Sequence, residues 1–111
     1  MADSEPGFDW DRGNREKCRK HGVSIADIET ILRGDPLVAP DVKHADQEDR
    51  FIAIGRGRDG RPIFVAFTFR MKDGRRLVRP VSARYMHRKE VERYEKESPE
   101  VEDRRGGRGV P

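Results

Sequence analysis

The chain has 111 residues, 33% of them hydrophobic and 41% charged, which is enough apolar material for one small core and no more. A single cysteine excludes an intrachain disulfide framework, and no apolar run approaches the ~18 residues of a membrane span. The net charge of +3 conceals a segregation: residues 50–84 hold ten basic and two acidic side chains, a local charge of +8 that points to a polyanion or an acidic protein partner.

Residues 1–7 have no periodicity and do not read as a signal peptide, so a cytoplasmic protein with a disordered N-terminus is expected. Residues 8–97 are then the one domain. Residues 98–111 form a low-complexity polar tail whose two Arg-Gly steps are a weak RNA-binding signal. Asp9 or Asp11 can cap a first helix over about 12–20, where Cys18 is the only clear apolar member. Gly22 suits the left-handed residue beyond it. Ser24 caps a second helix with Ile25, Ile28, Ile31 and Leu32 on one face, stopped by Gly34 and Pro36. A short strand at 37–39, an acidic loop with His44, and a strand at 50–56 follow.

The organising stretch is a β-hairpin over 61–84. In its first strand Ile63, Val65, Phe67 and Phe69 share a core-facing phase, while Thr68 and Arg70 share the other. Lys72-Asp73-Gly74 makes the turn. The second strand alternates imperfectly. Pro80 suggests a sheet edge or a bulge, and a bulge would bring Arg79 round to the face of Arg70. A last helix over about 87–96 can dock Val91 and Tyr94 on the sheet. The result is an α+β domain, a four-stranded antiparallel sheet in the order α-α-β-β-β-β-α.

Six stretches occur in order: Phe8-x-Trp10-Asp11, Lys20-His21-Gly22-Val23-Ser24, Asp35-Pro36-Leu37, Glu48-x-Arg50-Phe51-x-x-Ile54-Gly55, Arg79-x-x-Ser82-Ala83-Arg84 and Glu90-x-x-x-Tyr94-Glu95. Together, across residues 8–96, they resemble the BrnT family of toxins from bacterial type II toxin–antitoxin systems. The resemblance implies a RelE-like fold and a ribonuclease that stops translation. It also implies neutralisation by a BrnA-like ribbon-helix-helix antitoxin that contacts operator DNA itself, in complexes of two plus two chains. Pro80, where an aliphatic residue is more usual, and the long polar tail depart from the family pattern.

RNA cleavage without a metal uses the 2′-hydroxyl as nucleophile, and the protein must move protons and stabilise an anionic phosphorane. Arginine suits the second task because its fork donates two hydrogen bonds and keeps its charge. Arg70, Arg79 and Arg84 are the catalytic candidates, with His21 as proton carrier. Arg50, Lys20, Arg76 and Trp10 are candidates for RNA binding, Trp10 by stacking a base. Each has an ordinary alternative: a solvated arginine or a bridge to the acidic loop, a helix-end group for His21, a core position for Trp10, and packing or an ion pair for Tyr94 and Glu90. No metal or cofactor is expected. One cysteine and three scattered histidines give no zinc spacing, and Gly55-x-Gly57-x-x-Gly60 joins two strands rather than opening a helix. The rival function is a non-enzymatic module whose basic sheet binds nucleic acid or an acidic protein.

Overall fold

The computed structural model describes residues 7–41 and 49–97. The expectations for residues 1–6, for the acidic loop around His44 and for the tail at 98–111 therefore lie outside the described residues. Asp11 and Asn14 open α1 (Arg12–Arg19) with a reciprocal cap, in which each side chain accepts the other's backbone N–H at 3.0 and 2.7 Å. Gly22 follows at φ +87°, the left-handed conformation that glycine adopts without strain. Ser24 Oγ accepts from Asp27 N at 3.0 Å to start α2 (Ile25–Arg33).

Four strands follow, β1 (Leu37–Pro40), β2 (Phe51–Arg56), β3 (Pro62–Lys72) and β4 (Arg75–Tyr85), paired antiparallel in sequence order. The β3–β4 hairpin closes through Asp73 and Gly74, at φ 52° and 77°. Two consecutive positive φ values match the right-handed twist of the flanking strands. Helix α3 (Arg88–Glu97) completes the expected order. Among the described residues no helix is long and apolar enough to cross a membrane.

Directly paired residues in an antiparallel sheet point to the same face. Ala53, Val65 and Ala83 lie opposite one another and are buried, as are Ile63 and Phe67 in the same phase of β3. Cys18 of α1 and Ile28 and Ile31 of α2 pack on this face and finish the core, bordered by Phe51, Phe69 and Trp10. Burial pushes the Cys18 thiol up to about 11, so it packs as a small apolar group. Gly55 sits where a Cβ would come within 2.9 Å of Ile31 Cγ2, so α2 approaches β2 as closely as it does because that residue has no side chain.

Residues Gly7 to Asp9 run along the outer edge of β4. Val78 N donates to the Gly7 carbonyl at 3.0 Å, and Asp9 N donates to the Val78 carbonyl at 2.9 Å. This covers part of an edge that would otherwise present unpaired backbone groups. The buried Asn14 amide then donates to both the Asp9 carbonyl, at 3.0 Å, and the Pro80 carbonyl, at 2.8 Å. One side chain thus starts a helix, holds the edge segment and satisfies a strand carbonyl. Replacing it strands two buried acceptors, so Asn14→Ala is expected to lower the unfolding free energy by about 2 kcal/mol. Urea melts measure this, and an unchanged midpoint would remove Asn14 from the frame.

Candidate functional site

The second face of the sheet is not covered by α1 and α2, and the hairpin register decides what it displays. Ala66 pairs with Ser82 and Phe67 with Pro80, so Val81 is an extra residue on β4. This bulge resets the alternation. Arg79 pairs with Thr68, and Arg84 pairs with Phe64, so Arg79, Ser82 and Arg84 share the face of Arg70. The sequence expectation that a bulge near Pro80 turns Arg79 to that side is met. Small residues, Ala66 and Ser82, form a floor between the larger side chains. Above it lies a cavity of about 370 Å³ lined by His21, Asp41, Ile52, Phe64, Ala66, Ser82 and Arg84, among others. His21 is exposed in the turn after α1 and reaches this rim, so two of the four catalytic candidates border one cavity.

The Arg84 guanidinium lies over the Phe64 ring, 4.6 Å from its centroid. Its NH1 and NH2 groups donate to Glu90 Oε1 and Oε2, each at 2.9 Å, and NH1 also donates to the Tyr85 carbonyl at 3.3 Å. Glu90 is held in turn by the His87 N–H, which donates to Oε1 at 2.7 Å. The Arg84 fork and this backbone N–H pull the Glu90 carboxyl down to about 2. A guanidinium has five N–H donors. Among the described residues three are used, which leaves Nε–H and one N–H of NH2, the parallel pair along the side of the fork next to Nε. Arg84 is thereby fixed in position with a bidentate edge to spare.

The other arginines are placed differently. Arg79 NH1 and NH2 bind Asp9 Oδ2 and Asp11 Oδ2, both at 3.0 Å, and its side chain is only 18% exposed. Lys72 adds a longer contact to Asp9 at 3.6 Å. Arg79 thus has little surface left for a ligand, and its carboxylates anchor the edge segment. Arg70 is exposed on the rim of a smaller cavity that also includes Asp9, Asp11 and Arg79. Arg50 precedes β2 in the phase of Ile52, and its Nε is buried with no hydrogen-bond partner among the described residues. Beside it, the buried Thr68 hydroxyl donates to the Asp49 carbonyl.

Of the three remaining candidates, Arg76 and Trp10 lie apart from this group and Lys20 adjoins His21 in the chain. Arg76 pairs with Met71 in the core-side phase and covers Phe69, 4.1 Å from the ring centroid, so it belongs to the opposite face from Arg84. Trp10 packs against the core, donates through Nε1 to Glu29 Oε2 at 2.8 Å and carries the Arg15 guanidinium over its ring. Lys20 is the exposed C-cap of α1, next to His21. Glu90, for which the sequence suggests packing or an ion pair, forms that ion pair, and its partner is Arg84. Its signal was available: it stands three residues after His87 at a helix start, the spacing of a carboxylate that reaches back to a cap N–H. Among the described residues no three His, Cys, Asp or Glu side chains gather closely enough to hold a metal ion.

A family model described as "Ribonuclease toxin, BrnT, of type II toxin-antitoxin system" matches residues 10–90. The match takes in His21, Arg50, Arg70, Arg79, Ser82 and Arg84 and ends on Glu90. No curated relative matches the chain.

The Arg84–Glu90 pair has a pH signature. A carboxyl whose folded value is depressed contributes stability above its unfolded value, about 4.3 for Glu. That contribution is lost as pH falls from there towards 2. Wild type is therefore expected to exceed Glu90→Gln in thermal midpoint at pH 7, with the gap closing between about pH 4.3 and 2. Parallel melts across that range measure it, and a gap that persists at pH 2 would deny the pair this role.

Proposed function

The chain belongs to the BrnT family of type II toxin–antitoxin ribonuclease toxins, and from that premise we propose that it cuts RNA internally, without a metal, at the cavity between His21, Ser82 and Arg84. The observation that carries this reading is the spare bidentate edge of Arg84. A fork held by Glu90 on one side meets a phosphate on the other with no reorganisation, which is how fixed donors favour a transition state over a ground state. Its charge is placed to oppose the negative charge that builds on the phosphorane. His21, the imidazole on the same rim, carries the proton to or from the 2′-oxygen or the leaving oxygen. The Ser82 hydroxyl supplies a further hydrogen bond. Arg50 and Arg70 attract and align the backbone on either side, and Arg79 serves first as the clasp that holds the edge segment.

In this reading the toxin acts in the cytoplasm and arrests translation. A BrnA-like ribbon-helix-helix antitoxin neutralises it by covering the open face, in a complex of two plus two chains, and operator DNA is touched through the antitoxin alone. Arg50, Arg70 and Arg84 share that face, within a stretch whose local charge is +8, which supports an acidic or polyanionic occupant there.

The test is cleavage of a long RNA by the purified chain in EDTA, with 5′ ends mapped. Wild type is expected to cut. Arg84→Ala should lose roughly 10²- to 10³-fold in rate, the usual cost of one transition-state donor. Arg84→Lys should not restore it, because an ammonium lacks the fork. His21→Ala should lose roughly 10²- to 10⁴-fold with its melting curve unchanged. Full activity in Arg84→Ala would sink the assignment. RNA binding with a steep salt dependence and no cleavage at all would instead favour a binding module.

A further inference from the structure

Helix α3 joins the sheet largely through one side chain. Among its described side chains Tyr94 alone is buried, at 6% exposed, while Glu90 and Val91 are half-buried and the others face solvent. Resting on the RNA-cutting reading of Arg84, we infer that Tyr94 is a positioning residue for that reaction: its ring seats α3 on the sheet, which sets the place of Glu90 and through it the direction of the Arg84 fork.

The ring stands between two spaces. On one side is a cavity of about 360 Å³ over the open face, bordered by Leu37, Ile52, Ile54 and Phe64. On the other is a cavity of about 310 Å³ beside β2 and the end of α2, bordered by Ile31, Gly34 and Gly55. The ring is the wedge between them, and removing it leaves α3 with no buried side chain among those described. Arg56 of β2 latches the same turn of the helix. Its guanidinium lies over the Tyr94 ring, 5.7 Å from the centroid, and its NH2 donates to Glu95 Oε2 at 3.1 Å. Tyr94 is not part of the cluster of buried side chains that makes the core under α1 and α2, so its loss bears on α3 rather than on the sheet.

Glu90 precedes Tyr94 by four residues and lies on the same side of the helix, about 6 Å along its axis. It grips Arg84 with both oxygens, each at 2.9 Å. Two parallel bonds tolerate little tilt, and a swing that moves the carboxylate by about 1 Å takes one of them out of range. At the start of α3 the Met86 N–H donates to the Pro62 carbonyl at 3.0 Å and the His87 N–H to Glu90 Oε1 at 2.7 Å. These bonds lie where the chain leaves β4, so they act as a pivot and do not fix the angle of the helix. Tyr94, two turns further on, fixes it.

The experiment is a double-mutant cycle on RNA cleavage in EDTA, with kcat and KM read separately. Tyr94→Ala is expected to lower kcat roughly 10- to 10²-fold, the cost of a small misplacement that starts far from the chemistry, with KM for RNA held. Tyr94→Phe, which keeps the ring, should restore the rate. Glu90→Ala should lower kcat as well, and adding Tyr94→Ala to it should lower kcat no further, because both act through one fork. Losses that multiply, or full activity in either single variant while Arg84→Ala is impaired, overturn the inference and leave the ribonuclease reading standing. A second readout needs no activity. In a heteronuclear NMR spectrum the Arg84 Nε–H signal, identified by its loss in Arg84→Ala, should stand apart in wild type and in Tyr94→Phe, and should merge with those of solvated arginines in Tyr94→Ala. An Arg84 signal that Tyr94→Ala leaves in place overturns the inference. Should Tyr94→Ala fail to fold, Arg56→Ala, which removes the latch from outside the core, goes through the same cycle and spectrum with the same outcomes. No cleavage of any RNA by wild type overturns the ribonuclease reading and this inference together.

Discussion

One unpaired residue, Val81, sets the chemistry of this fold. Side chains on a strand alternate with period two, so an extra residue inverts every position on one side of it relative to the other. In an unbroken β4, Arg79 would share a phase with Val81 and Ala83 and be driven into the core, opposed to Arg84. With the bulge, Arg79, Ser82 and Arg84 come to one face while Val78 and Ala83 stay on the other. Pro80 stands next to the bulge, has no N–H to miss from the ladder and is fully buried. Its carbonyl, which does need a partner, is taken by Asn14. A proline in the middle of a paired strand is therefore accommodated by the neighbouring irregularity and by a helix cap across from it.

The two central arginines show what a carboxylate does at different depths. Arg79 is enclosed by two of them and little exposed, so its charge serves to fasten residues 7–11 to the sheet. Arg84 has one, at a more open site, and keeps donors in hand. An isolated pair in such a half-exposed setting contributes little to stability. Its value lies in orientation: the carboxylate reduces the freedom of a long side chain before any ligand arrives.

The elements were largely legible in the sequence because their signals are local. Ser24, Gly22, Gly34 and the Asp73–Gly74 turn each act within a few residues, and the period-two run from Ile63 to Phe69 identifies its own core face. The bulge was legible as a possibility, from Pro80 and the broken alternation. The site was harder, since it depends on contacts between distant parts of the chain. The sequence offers ten basic side chains between 50 and 84, and nothing local separates Arg76, which covers Phe69, from Arg84, which lies over Phe64. That distinction comes from cross-strand register. Likewise the partners of Arg79 lie some 70 positions away, and the indole N–H of Trp10 finds Glu29 on another helix.

The cysteine in α1 has a practical consequence. Cys18 is fully enclosed, and its thiol stays protonated through the neutral range, so it is closed to reagents that need an exposed thiolate. For labelling chemistry the folded chain behaves as though it had no cysteine. A thiol placed at an exposed hairpin position such as Met71 would carry a dye alone, and fluorescence distances from toxin to antitoxin or RNA could be taken on a chain whose core is left intact.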